Sequence, residues 1–268
     1  IIPSIRNPFF ADLLQGMSDV VRRNGYHVLL GISSGKREEE EALAKAFLAH
    51  RPTGLVLHGT PNSAELRRML SHAGVPVVET GGLETDPIDM LVSYSNHDAA
   101  AAGVGHLVKR GYRRIGLITA PLADNERAIR RREGYLRIIR EAGLPELPSL
   151  MVEAHHSYEE DWNSEAFCRL LEREPTVDAV FCAGHTWAVG AILECQRRGW
   201  SVPGRLAVAG FDDTSIATKI VPPLTTVRIH RYEIGRTAAT LLLDRVAGRA
   251  SAHTIVDVGF SLMERGST

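Results

Sequence analysis

The sequence has little that would tie it to a membrane, a disulfide framework or a nucleic acid. No apolar run approaches the roughly 20 residues that span a bilayer, and no secretory leader pattern is present, so no membrane partner is expected. The three cysteines, Cys168, Cys182 and Cys195, are odd in number and widely spaced in apolar surroundings. That pattern predicts reduced, buried thiols of a cytoplasmic protein. Neither sign of charge is in excess: 31 Lys and Arg stand against 32 Asp and Glu, for a formal net charge of -1. A chain that itself grips nucleic acid would carry a clear basic excess. Nucleotide-cradling loops are missing too, with no G-x-G-x-x-G after the first strand and no P-loop lysine pattern. His155 and His156 lack the i, i+4 spacing that puts two imidazoles on one helix face, so neither metal nor cofactor is expected.

What is present is a regular alternation. Among 268 residues, 44% of them hydrophobic, short β-rich runs alternate with helical stripes almost from end to end. Strands are expected at Ile1–Ile5, His27–Leu30, Gly54–His58, Val75–Glu79 and Met90–Ser93. A second series follows at Arg114–Thr119, Leu150–Ala154, Ala179–Cys182 and Leu206–Gly210. Stripes such as Phe10, Leu13, Leu14, Met17, Val20 and Val21 mark the helices between them, with Gly25 as a stop. Strands separated by helices imply an α/β fold of parallel sheets covered on both faces. The two halves are of similar length with no Gly/Ser-rich linker, which predicts two Rossmann-like lobes joined by close crossovers.

In open parallel sheets, ligands bind beyond the carboxyl ends of the strands. The residues least suited to an apolar interior fall at those ends: Arg6 and Asn7, Ser33 and Ser34, Thr119 to Asn125, His155 and His156, Gly184 and His185, Asp212 and Asp213. The chemistry suits a polyol. Asp212 accepts from adjacent hydroxyls, while Phe9 or Phe10 covers a C–H face. Arg131, three residues before Gly134 on the stripe of Tyr135 and Ile138, points inward, where it pairs with a carboxylate or forks two hydroxyls. Arg130 and Arg132 read as a solvated basic face, and Asp213 either joins the site or caps the segment after it. Trp187 packs at a helix start or, beside His185, offers a platform for a ligand.

"GISSG", Gly31 to Gly35, matches the G-x-S-x-G elbow that exposes a nucleophilic serine, and His97, His155, His185 or His230 would supply a base. The elbow runs straight from its serine into a helix, whereas here Gly35, Lys36 and Arg37 intervene before the glutamate-rich start. A polar turn is therefore the expected role of Ser33 and Ser34, with no catalytic residue and no enzyme. A serine hydrolase using Ser33 is the alternative.

"PSIRNPFF", followed by an amphipathic helix and "NGYHVLLG", resembles the start of the regulatory domain in LacI/GalR-type transcription regulators. So do "HLVKRGYRRIGLITAP" and, most specifically, "VAGFDDTSIATKIVPPLTTVRIHRYEIG". The stretch "VFCAGHTWAVGAILECQRRGWSVP" is similar to repressors of gluconate utilisation. The resemblance implies two lobes of the periplasmic-binding-protein type I architecture around an effector cleft, with residues 1-110 plus 230-254 in one and 111-229 plus 255-268 in the other. It implies a homodimer, a small sugar or sugar-acid effector, and operator DNA bound through an N-terminal helix-turn-helix head that ends before Ile1. On the family pattern, ligand contacts fall on Phe9, Phe10, Asn96 (within the pair Ser95-Asn96), Arg131 and Asp212, with Arg6 and Ser33 at the cleft edge. One departure stands out. Ahead of "AVGA", where the family usually shows Asn-Asp, this chain has Gly184 and His185. An exported sugar-binding protein of a transporter would share the fold and the cleft, and is the main alternative.

Overall fold

The computed structural model describes residues 1–59, 63–83, 86–155, 162–249 and 254–268. In chain order the elements are α1 (Pro8–Arg23), α2 (Arg37–Ala49), β1 (Leu55–His58), α3 (Ala64–Ser71), β2 (Val77–Thr80), β3 (Met90–Ser93), α4 (Asn96–Lys109), β4 (Ile115–Thr119), α5 (Glu126–Glu141), β5 (Met151–Glu153), α6 (Glu165–Arg173), β6 (Ala179–Cys182), α7 (His185–Arg197), β7 (Ala207–Asp212), β8 (Thr225–Ile229), α8 (Arg231–Val246), β9 (Ile255–Asp257) and β10 (Phe260–Met263). No described helix is long and apolar enough to cross a membrane.

The chain forms two compact units. Unit 1 comprises Ile1–Ser95 with His230–Gly259, and unit 2 comprises Asn96–Ile229 with Phe260–Thr268. The boundaries differ from those expected, 110/111 and 254/255, for a physical reason. α4 presents Gly103 to the side chains of Phe181 and Val227, so the helix belongs to the sheet of unit 2. β9 pairs with β3 and stays with unit 1.

Unit 1 holds a parallel sheet in the order β1-β2-β3-β9. Val77–Thr80 and Met90–Ser93 are buried throughout, as expected of strands covered on both faces. The stretch "RNPFF" is explained locally. Asn7 caps α1, its side chain accepting from the Phe9 N–H at 2.9 Å, and Pro8 sits in the first turn, where an N–H would be orphaned anyway. Two expected strands form no ladder: Ile1–Ile5 contributes only a bridge from Ile2 to Ile32, and His27–Leu30 contributes none. Ile1 does lie against β1, its amine donating to Val56 O at 2.6 Å and its carbonyl accepting from His58 N–H at 3.1 Å. After Ile2, however, Pro3 has no N–H to give. Val28, Leu29 and Leu30 are exposed beside an apolar cavity of about 420 Å³.

Unit 2 holds the sheet β10-β8-β7-β6-β4-β5, parallel except for β10, which runs antiparallel to β8. β7 runs two residues further than expected, so Asp212 is its last residue. A short 3-10 turn, Pro148–Leu150, occupies the start of the strand expected at 150. α4 and α5 pack so closely that a Cβ on Gly134 would collide with the His97 carbonyl. All three cysteines are free. Cys182 and Cys195 are buried, and burial raises both thiols, Cys195 up to about 11. Cys168 differs from expectation in being only partly buried, with Arg198 donating to its Sγ at 3.5 Å.

Candidate functional site

The polar residues singled out by position fall into two groups. In unit 1, Phe9 and Phe10 lie on the inner face of α1, both buried. Their rings meet edge to face at 5.2 Å, and each meets His58, at 5.3 and 4.8 Å. His58, the last residue of β1, escaped the sequence analysis although its strand-end position carries the same signal as the residues that were chosen. Its Nδ1 lies 3.1 Å from the Thr80 hydroxyl at the end of β2. Arg6 is exposed, its N–H donating to Ser4 Oγ at 3.0 Å.

Ser33 is buried in a turn. Its N–H donates to Ile2 O, its carbonyl accepts from the Lys36 N–H, and Ser34 takes a left-handed conformation with φ of 53°. α2 begins only at Arg37, so the strand–serine–helix junction of a nucleophile elbow is not formed here.

Unit 2 gathers four of the expected residues: Asn96, Arg131, His185 and Asp212. α5 is started by Asn125, whose side chain accepts from the Ala128 N–H. Arg131 follows on the inner stripe. Its Nε donates to Asn96 Oδ1 at 2.8 Å and its Nη1 to the Ala183 carbonyl at 2.7 Å, while the guanidinium carbon lies 4.0 Å from the centroid of the Phe211 ring. The cation is thus oriented by an amide, a carbonyl and an aromatic face. Phe211, hidden within "GFDD", was not singled out from the sequence.

The carbonyl that Arg131 holds belongs to the link between β6 and α7. His185 opens α7, and its Nδ1 lies 3.3 Å from Asp212 Oδ2. An ionised carboxylate only accepts, which assigns the proton to Nδ1 and leaves Nε2 on the far edge of the ring. Trp162 meets that ring edge on at 6.3 Å. Asp212 and Asp213 are successive left-handed residues, φ 79° and 50°, a conformation that aspartate tolerates at a cost of about 1–3 kcal/mol each. Asp212 thereby serves His185, while Asp213 is paired with Arg228 at 2.7 Å and Arg265 at 2.6 Å. Asp213 is consequently not a helix cap. The short 3-10 turn after it is preceded by Thr214, with no side-chain cap.

The glycine ahead of His185 has a steric reason. A Cβ on Gly184 would come within 2.9 Å of the Trp187 ring. The indole occupies the space where a longer side chain at 184 would stand, so Trp187 forms a wall at this position. Of the histidines considered as bases, His97 is half-buried with Nδ1 2.8 Å from Asp98, and His230 immediately precedes α8. His156 lies outside the described residues. Among the described residues no cluster of His, Cys, Asp and Glu could hold a metal ion.

Among the described residues, the buried polar atoms without a hydrogen-bond partner include Thr119 Oγ1, His185 Nε2 and Thr214 Oγ1. Thr119 ends β4, His185 follows β6, and Thr214 follows β7. The sheet order places these three strands side by side. Unsatisfied polar atoms in a protein interior are costly. These three lie at neighbouring carboxyl ends of the sheet, the side on which open parallel sheets bind ligands.

The family model of a periplasmic binding protein-like domain matches residues 104–268. The chain is 37% identical to the HTH-type transcriptional regulator GntR of Pseudomonas aeruginosa, over all of its own length and 77% of that protein. Among solved structures, the transcription regulator GntR from Chromobacterium violaceum superposes with a TM-score of 0.93 at 36% identity, covering 99% of this chain and 97% of that one. A LacI family transcriptional regulator from Silicibacter pomeroyi superposes with a TM-score of 0.90 at 29% identity, with the same coverage. These relatives are regulators rather than enzymes or transport proteins. With the strand-end site already in place, the chain belongs to the LacI family of transcriptional regulators, as its periplasmic-binding-protein-like effector-binding domain.

Proposed function

We propose that unit 2 binds a small sugar acid, gluconate-like in its chain of hydroxyls and terminal carboxylate, through Asn96, Arg131, His185 and Asp212. The observation that carries this is the row of partnerless buried atoms at the ends of β4, β6 and β7 beside a fixed guanidinium. Hydroxyls satisfy neutral donors and acceptors, and a carboxylate suits Arg131. The family pattern also expects ligand contacts within unit 1, at Phe9 and Phe10, with Arg6 and Ser33 as further candidates. The effector acts by population shift: it stabilises whichever conformation it binds more tightly, and by no more than its differential affinity. That conformation is read by operator DNA through a helix-turn-helix head, in a cytoplasmic homodimer.

The test is a thermal-shift series of this chain against gluconate, its keto and phosphorylated relatives, and neutral sugars and polyols. A ligand at about 100 times its dissociation constant adds roughly 2.7 kcal/mol of stability. A shift confined to sugar acids, and lost in Asp212→Ala, is the expected result. Normal calorimetric binding by that variant, with its circular dichroism unchanged, would remove Asp212 from the site.

A further inference from the structure

Unit 1 contains a strand position that its sheet leaves unfilled. Ile1 and Ile2 run parallel to two neighbours at once. Ile1 bonds to β1, its nitrogen donating to Val56 O at 2.6 Å and its carbonyl accepting from the His58 N–H at 3.1 Å. Ile2 bonds to the opposite side, its N–H donating to Gly31 O and its carbonyl accepting from the Ser33 N–H, both at 3.0 Å. Successive residues that alternate between two parallel neighbours in this way belong to the middle of a sheet.

Followed back past Ile1, the same alternation fixes what the next positions meet. Leu29 and Gly31 turn their backbone groups to one side of the slot, and Gly54 and Val56 turn theirs to the other. The space between them is the apolar cavity of about 420 Å³, walled by Leu13, Met17 and Val21 of α1, Phe47 of α2, and Ala239 and Leu242 of α8. Both of its faces are covered. Leu55 packs with Ala44 of α2, whereas a Cβ on Gly54, one residue earlier, would meet Leu242 of α8. A strand covered on both faces is apolar throughout rather than alternating.

We propose that this slot takes an extended, wholly apolar strand of about three residues, supplied by the polypeptide directly ahead of Ile1 and parallel to both β1 and residues 27–32. The Ile1 nitrogen lies at the end of the slot, so a chain continuing from it enters without a turn, whereas a separate peptide would have to end against it. The filled slot gives the 27–30 segment, with Leu29 now 69% exposed, the ladder partner that its composition calls for. A helix-turn-helix head ahead of that strand is then joined to unit 1 through the middle of its sheet rather than by a free linker. The inference does not depend on the ligand proposed above.

The experiment extends this chain at its amino end by Val-Val-Val, by Ala-Val-Ala as a smaller version, and by Gly-Ser-Gly as the control, with circular dichroism to check the fold. Amide exchange at Leu29, Gly31 and Val56, followed by NMR, is expected to slow by about tenfold or more in an apolar extension relative to the control, and the urea midpoint to rise. Anilinonaphthalene sulfonate, a dye that brightens on apolar surface, should report the cavity in the control and lose it in that extension. Equal exchange and equal midpoints in all three chains overturn the strand. Dye binding unchanged by both apolar extensions assigns the cavity to a small ligand and overturns it as well. Protection of the same amides in the control, rising with protein concentration, assigns the slot to a second copy of the chain and overturns the proposed occupant.

Discussion

At the scale of single residues, the site is set by pairs rather than by lone side chains. Gly184 and Trp187 are one such pair, because the ring fills the space that a Cβ at 184 would need. Gly184→Asn, which places an amide ahead of His185, is expected to push the indole outward and lower stability by about 1–3 kcal/mol, as overpacking does. A red-shifted tryptophan emission would report the displacement, and Trp187→Ala in the same chain should recover most of the loss. An unchanged spectrum and midpoint would mean that the ring is not held over Gly184. The residues of this site were partly legible in the sequence. Arg131, Asn96, His185 and Asp212 were marked by strand-end position, helical stripe or family pattern. Phe211 and His58 were not, because an aromatic within an apolar strand looks the same whether it supports a cation or only fills the core. Of the two adjacent carboxylates the family pattern singled out Asp212, and the backbone turn between them gives them different partners, His185 for Asp212 and the two arginines for Asp213.

At the scale of elements, helices against a sheet are governed by period and close approach. α4 and α5 touch through Gly134, whose missing side chain makes room for the His97 carbonyl. Because α4 carries Asn96 and α5 carries Arg131, this contact also sets the 2.8 Å bond between them. Gly134→Ala forces backbone against backbone. It is expected to cost at least the 1–3 kcal/mol of an overpacked core, despite alanine's better helix propensity. Ligand affinity should fall as well, since the two helices separate. Urea unfolding and calorimetry on the same variant check both effects, and a gain in stability would show that the helices have slack. Most elements were readable from hydrophobic period: β3 and β6 matched to the residue, and β1, β2, β4 and β7 to within two at either end. β8, β9 and β10 were missed. β9 is half-exposed and only three residues long, so it carries no buried run to recognise. The segments at 1–5 and 27–30 show the opposite error. They have strand composition, but a ladder needs a partner as well as a propensity.

At the scale of the whole molecule, His106 ties α4 to Thr268, and burial lowers its affinity for a proton, opposed by the Glu264 carboxylate. Its folded value lies below its unfolded one, so across the ordinary histidine range the unfolded chain holds the extra proton. Stability therefore rises with pH there. Urea midpoints at pH 5.5 and 8.5, followed by circular dichroism, should show the rise. His106→Gln should abolish it, and an equal rise in that variant would assign the effect elsewhere. The two-unit organisation was legible from the repeat, and the boundary expected between 229 and 230 coincides with the observed one, but the other two boundaries were not legible. α4 and the residues after 254 are assigned by what they touch, and no composition shift marks either place.

The path of the chain has a consequence in time. It passes from one unit to the other after Ser95, after Ile229 and again after Gly259. Unit 1 waits for α8 and β9, and unit 2 for β10 and the residues after it, where Ser267 donates to Val208 O at 2.6 Å and Thr268 meets His106 at 2.7 Å. A ribosome making this polypeptide therefore completes neither unit early. Both sheets stand incomplete together, each lacking one strand, until β9 and β10 emerge in close succession.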